Sequence, residues 1–182
     1  MVDYRALIDK YYADNLPLKR ILEVHSRLVC EKALRCLDAH PELGLDRDFV
    51  EEGAWLHDIG IFLTDAPSIH CHGTEPYLCH GLLGANLLRS EGLPRHARVA
   101  ERHTGAGLTR EQILARQLPL PPQDFLPETP EEQLICYADK FFSKTRLTDE
   151  KPLERVVDGL AKFGEAGVES FLRWYELFGE QK

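Results

Sequence analysis

Residues 18–37 read LKRILEVHSRLVCEKALRCL. Leu18, Ile21, Leu22, Leu28, Val29, Ala33, Cys36 and Leu37 recur at helical spacing within it. That period predicts a long amphipathic helix with one face turned to a core. His25 falls inside the apolar stripe, between Leu22 and Leu28. A buried imidazole must be hydrogen-bonded or must hold something, because an unsatisfied polar group costs stability. Taken alone, His25 reads as a core histidine bonded to a carbonyl.

The same period continues on both sides of this stretch. A helix is expected before residue 15, and another over about 46–58, ending at Gly60. A third opens near His80 in HGLLGANLLRSEG and stops at Gly92. Pro94 suits the first turn of a fourth, PRHARVAERH, which ends by His103 and Gly105. Prolines at 119, 121, 122, 127 and 130 make residues 117–130 irregular, since each fixes φ and removes a donor. Thr129 is placed to cap a fifth helix with Pro130 at its first position. Leu134, Ile135, Ala138, Phe141 and Phe142 share one face of that helix, with Asp139 among them. Pro152 starts a further helix, and VESFLRWYELF closes the chain as an apolar one. No stretch alternates apolar and polar residues, and there is no repeat or composition break. The expected fold class is all-α: one helical bundle over residues 1–182, with 152–179 completing its core rather than making an interface.

The chain has 182 residues, 43% of them hydrophobic, and a net charge of −8. That charge argues against a nucleic acid polymer or an anionic membrane as partner. A small phosphorylated ligand remains compatible, because a bound metal supplies positive charge locally. The N-terminal MVDYRALIDKYYADN lacks the apolar segment of a signal peptide, and no later run is long and apolar enough to span a membrane. The five cysteines are an odd number, unevenly spread, and read as reduced thiols in the cytoplasm.

The chemistry centres on residues 54–60, AWLHDIG. His57 offers a neutral nitrogen and Asp58 an anionic oxygen, which can grip one divalent ion, or the aspartate can bridge two. Asp139 on an apolar face needs a cation, strong donors or a raised pKa. His80 opens one predicted helix and His103 ends another, and side chains at helix ends can converge without breaking the packing between helices. His25, His57, Asp58, His80, His103 and Asp139 are all N or O donors, suited to iron, manganese, zinc, nickel or cobalt.

This pattern resembles the HD-domain superfamily of metal-dependent phosphohydrolases. Its motif is a histidine, a His-Asp pair and a distant aspartate, here His25, His57-Asp58 and Asp139, with the string HDIG intact at 57–60. Members that hold two metals carry two further histidines in between, where His80 and His103 stand. The resemblance covers about residues 20–145, and the strings HGLLGANLLRSEGLP, ERHTGAGLT and LPETPEEQLICYADK are similar to one small-protein branch. It implies hydrolysis of a nucleotide or another small phosphorylated metabolite by metal-activated water. His25, His57, Asp58 and Asp139 would hold one ion, and Asp58 would bridge to a second held with His80 and His103. Asp58 and Lys140 are the implied catalytic residues, Asp58 or an unliganded acid nearby taking the proton and Lys140 either facing the site or pairing with a surface acid. Two other readings stay open: a di-iron oxygenase of the same superfamily, and a non-catalytic metal- or nucleotide-binding regulatory domain.

The chain also departs from the family. Several dinuclear members place a lysine directly after HDIG to contact the phosphate or the bridging water; here Ile61 follows, so any phosphate clamp must come from elsewhere. The GYP signature of cyclic-dinucleotide phosphodiesterases is absent. Arg27, Arg98, Arg102 and Lys144 are candidate phosphate ligands, though each singly reads as part of a solvated face. Ser143 is placed to support Asp139, and Glu51 to be a carboxylate behind Asp58 or a solvated one. The long connection TDAPSIHCHGTEPYLC, residues 64–79, has the length of a lid. Its His70 and His72 are expected to face substrate, in preference to forming a zinc loop with Cys71 and Cys79. His40 and His96 read as surface residues.

Overall fold

The computed structural model describes residues 2–180. Helices dominate: α1 (Tyr4–Tyr12), α2 (Leu16–Ala39), α3 (Arg47–Leu56), α4 (His80–Ser90), α5 (Pro94–Arg102), α6 (Arg110–Ala115), α7 (Pro130–Asp139), α8 (Leu153–Ala161) and α9 (Glu165–Phe178). Short polar side chains start several of them by accepting from otherwise unpaired backbone N–H groups. Asn15 accepts from the amide of Leu18 at 3.1 Å, and Asp46 from that of Phe49 at 3.1 Å. Thr129 and Glu132 form a reciprocal capping box at the start of α7, with Pro130 at the first position as the sequence predicts.

Helix α2 is the spine. Its Leu18 and Leu22 belong to one apolar cluster, with Ile8 and Tyr12 of α1, Ile59, Ile61, and Leu88 of α4. Its Val29, Ala33 and Cys36 belong to another, with Val50 of α3, Leu134 and Ile135 of α7, and Phe171 of α9. His25 lies at the junction, so α2 carries the site between two separately packed halves of the core. Fully burying one such leucine or isoleucine is worth about 1.5–3 kcal/mol. In the C-terminal segment Phe171, Trp174 and Phe178 are buried in the same cluster as Val29 and Ala33.

Three features differ from the sequence reading. Residues 64–76 hold a small sheet in the order β2-β1-β3, with β1 (Thr64–Ala66) antiparallel to β2 (Cys71–His72) and parallel to β3 (Glu75–Pro76). Strands of two or three residues are too short to show alternation. The short α6 lay unrecognised just before the proline-rich stretch. Helix α7 ends at Asp139 instead of running on to Phe142, because Lys151 folds back and donates to the carbonyls of Lys140 (3.0 Å) and Phe142 (2.8 Å). Among the described residues no helix is long and apolar enough to cross a membrane.

Candidate metal centre

Each donor enters the centre from a different place in the fold. His25 projects from the middle of α2. His57 is the C-cap of α3, and Asp58 follows it in a tight turn held by the Ile59 N–H on Leu56 O and by the Ile61 N–H on Asp58 O. The Tyr12 hydroxyl ties α1 to this turn by donating to Ile59 O at 2.8 Å. His80 is the first residue of α4, His103 the C-cap of α5, and Asp139 the last residue of α7. Gly60 lets the turn approach α4 closely: a Cβ there would overlap the carbonyl oxygen of His80 and the backbone of Gly84.

The side chains converge in two groups that share Asp58, namely His25, His57, Asp58 and Asp139, and Asp58, His80 and His103, all buried. Asp58 Oδ2 lies 3.1 Å from Nε2 of His25 and 3.1 Å from Nε2 of His57. Its Oδ1 lies 3.3 Å from Nε2 of His80 and 3.4 Å from Nε2 of His103. Asp139 Oδ1 is 3.0 Å from His25 Nε2.

The tautomers follow from the other ring nitrogens. Nδ1–H donates to Ala54 O in His57 (2.7 Å), to Tyr77 O in His80 (2.6 Å) and to Ala100 O in His103 (2.7 Å). Each of these rings therefore aims Nε2 at Asp58. The Nε2 atoms of His80 and His103 stand 3.0 Å apart, so two lone pairs meet unless a cation lies between them. Among the described residues neither oxygen of the fully buried Asp58 has a hydrogen-bond partner, and neither has His25 Nδ1. A buried carboxylate without donors is costly. The donor set, the aimed nitrogens and the orphaned oxygens all fit divalent ions.

Two lysines border the centre. Lys144 Nζ lies 2.6 Å from Asp58 Oδ2, an ion pair without hydrogen-bond alignment. Lys140 Nζ lies 2.6 Å from Asp139 Oδ2 and donates to His103 O at 2.7 Å, so it faces the site and pairs with no surface acid. Burial works against the charged forms of Asp58 and Asp139. It is outweighed by His57 and Lys144 around the first and by Lys140, His25 and His57 around the second, and both carboxyls lie well below the usual range. Burial likewise opposes charge on His57, yet Asp58 and Asp139 raise its pKa to about 9. His103, with burial dominant, falls to about 4.

Other sequence candidates settle elsewhere. Arg27 pairs with Glu31 at 2.7 Å, Arg98 with Glu132 at 2.7 Å, and Arg102 with Glu128 at 2.6 Å, leaving Lys144 alone of that set at the centre. Ser143 bonds Thr145 at 2.9 Å and does not support Asp139. Glu51 accepts from the Tyr4 hydroxyl at 2.8 Å. His70 and His72 are exposed, and the cavity beside the centre takes Ala66, Ser68 and Ile69 from their loop instead. His70 sits in the left-handed region (φ 61°), and its carbonyl accepts from Asn15 Nδ2 at 2.9 Å. Cys79 donates to Pro119 O at 3.1 Å, and among the described residues no zinc-spaced group forms in that loop. His96 is buried rather than on the surface, 2.9 Å from Glu52, and half-buried His40 donates to Gly179 O at 2.9 Å. The five cysteines are free and buried, as expected of thiols.

A helical bundle closed over a buried histidine–aspartate centre is the class that fold and site define. A model of the HD domain matches residues 23–143, and the chain belongs to the HD-domain family. It is 38% identical over 138 residues to an uncharacterised protein of Methanocaldococcus jannaschii, covering 74% of this chain and 73% of that protein. It is 37% identical over 130 residues, 71% of its length, to a tRNA (cytidine(56)-2'-O)-methyltransferase of Picrophilus torridus, but spans only 33% of that protein. Among solved structures, the HD domain of the L. monocytogenes phosphodiesterase PgpH in complex with cyclic-di-AMP has the same fold. The TM-score is 0.55 at 19% identity, with 97% of this chain and 99% of that one covered.

Proposed function

We propose that this protein is a metal-dependent phosphohydrolase acting on a nucleotide or another small phosphorylated metabolite at a centre for two divalent ions. The observation that carries the reading is the pair of donor groups sharing Asp58, one carboxylate oxygen facing each. Family membership supports the same reaction class, and the PgpH complex places phosphorylated nucleotides first among compounds to try. Bound ions would lower the pKa of a water and neutralise phosphate oxygens.

The chain's own residues do the rest. His57, His80 and His103 are locked in the tautomer that presents Nε2. Asp58 holds the two groups in one frame. Lys140 is a positioning residue that fixes Asp139 against the segment after α5. Lys144 brings positive charge beside Asp58 at the cavity wall, and supplies the clamp that Ile61 cannot. In hydrolysis the water oxygen joins phosphorus, the P–O bond to the leaving group breaks, and the leaving oxygen takes a proton.

The test is elemental analysis of protein purified without chelator, followed by a panel of nucleoside phosphates, cyclic dinucleotides and sugar phosphates with manganese, iron, cobalt, nickel and zinc. Two ions per chain and metal-dependent release of phosphate or nucleotide are expected. No turnover by fully loaded protein, or substrate-dependent oxygen uptake by the iron form, would overturn the reading.

A further inference from the structure

Beyond α7 the chain reads KFFSKTRLTDEKPLER over residues 140–155, and its five cations, Lys140, Lys144, Arg146, Lys151 and Arg155, all line one cavity with His25 and Asp139. The cavity measures about 1050 Å³. Such a basic wall is conspicuous in a chain of net charge −8. The three lysines are engaged by the protein itself: Lys140 by Asp139 and His103 O, Lys144 by Asp58, and Lys151 by the carbonyls of Lys140 and Phe142. The two arginines are not. Among the described residues neither Arg146 nor Arg155 forms an ion pair, and both are exposed. Asp149 and Glu150 line the same cavity; Glu150 is drawn to Lys32 at 2.6 Å, and Asp149 accepts from Thr148 at 3.0 Å.

The geometry sorts these charges by depth. An antiparallel bridge between Ser143 and Arg146, with the Ser143–Thr145 hydroxyl contact, makes a tight turn. Lys144 is turned inward to Asp58, while Arg146 stays at the rim. Helix α8 then presents Arg155, Val156, Gly159 and Leu160 to the same cavity, a single helical face. Val156 and Leu160 are buried, and with Phe142 and Phe163 they give the same cavity an apolar part of its lining.

We infer that the cavity takes a substrate with two separated phosphates: one at the histidine–aspartate centre, and a second held by Arg146 and Arg155, with an apolar or aromatic body between them. Guanidinium groups suit that task because their fork of donors matches phosphate oxygens. The cleaved end rests on the phosphohydrolase reading; the arginine rim does not.

Calorimetric binding to metal-loaded protein tests it, with adenosine bisphosphate (phosphates on both the five-prime and three-prime hydroxyls) and adenosine five-prime monophosphate as probes. The bisphosphate is expected to bind at least about tenfold tighter, a gap within the range of one or two charged hydrogen bonds. The double variant Arg146→Ala, Arg155→Ala should bring the bisphosphate down to the monophosphate affinity. Metal content, the thermal midpoint and monophosphate binding should stay unchanged. Equal affinity for both probes in the parent protein would overturn the inference. So would a variant that weakens both alike, since that marks a general field and not a second site. Bisphosphate preference without any hydrolysis would instead sink the hydrolase reading and leave the rim intact.

Discussion

Asp58 is the residue on which the centre turns, because it is fully buried, lacks a hydrogen-bond donor among the described residues and is shared by both donor groups. Without ions, its charge is balanced mainly by Lys144 and by a protonated His57, whose pKa of about 9 keeps it cationic at neutral pH. A ligating imidazole must be neutral, so an ion and the His57 proton compete for the same place. Metal uptake at neutral pH should therefore release about one proton per chain from His57. Affinity should climb roughly tenfold per pH unit until about pH 9 and then level off. Calorimetric titration in buffers of different ionisation enthalpy measures both; pH-independent binding without proton release would contradict the assignment. The change Asp58→Asn should lower affinity at both groups by more than about 100-fold, beyond the usual cost of losing an indirect support. Elemental analysis reads this, with circular dichroism showing that the helices remain.

At the scale of elements, the centre depends on how closely the turn after α3 meets α4. The change Gly60→Ala puts a methyl group against His80 O and Gly84, so α4 must retreat and take His80 with it. Overpacking of this kind costs about 1–3 kcal/mol. The His80–His103 group should lose its ion while the His25–His57–Asp139 group keeps one, and metal content should fall from two toward one; an unchanged content would remove Gly60 from the argument. The helices and the donor set were legible in the sequence because each follows a local rule: the apolar period of α2, the Thr129-Pro130 start of α7, polar donors on apolar faces or at helix ends. What stayed hidden depends on long-range pairing. His96 looked exposed in the highly charged PRHARVAER, and Glu52 and Phe49, brought across from α3, explain its burial. Lys144 follows a helix end in a segment without period, so nothing local showed that its ammonium turns inward to Asp58.

Over the whole molecule the centre is a polar joint between two apolar clusters, and α2, α3 and α5 each contribute buried residues to both. Helices α3, α4, α5 and α7 each end or begin at a donor, so ions there would staple together segments far apart in sequence. Ions that bind only the folded chain add about 4 kcal/mol at a thousandfold excess over Kd. For a chain of this size that corresponds to a fall in Tm of roughly 8–16 °C on chelation. The pH profile of the chelated protein should then expose the histidines. His57, raised to about 9, stabilises the fold fully below its ordinary value of 6.5 and loses that contribution as pH rises through about 9. His103, lowered to about 4, has the opposite sign: folding disfavours its proton, so stability drops as pH falls from 6.5 toward 4. Metal-free protein should thus be most stable near pH 6.5 and lose Tm on either side. The gap between loaded and chelated protein should widen from pH 6.5 to about 9, because a rising pH removes the His57 proton that stabilises one form and obstructs the other. Thermal melts with and without chelator across that range measure the gap, and parallel curves would mean that the ions, if bound, do not displace a proton from His57.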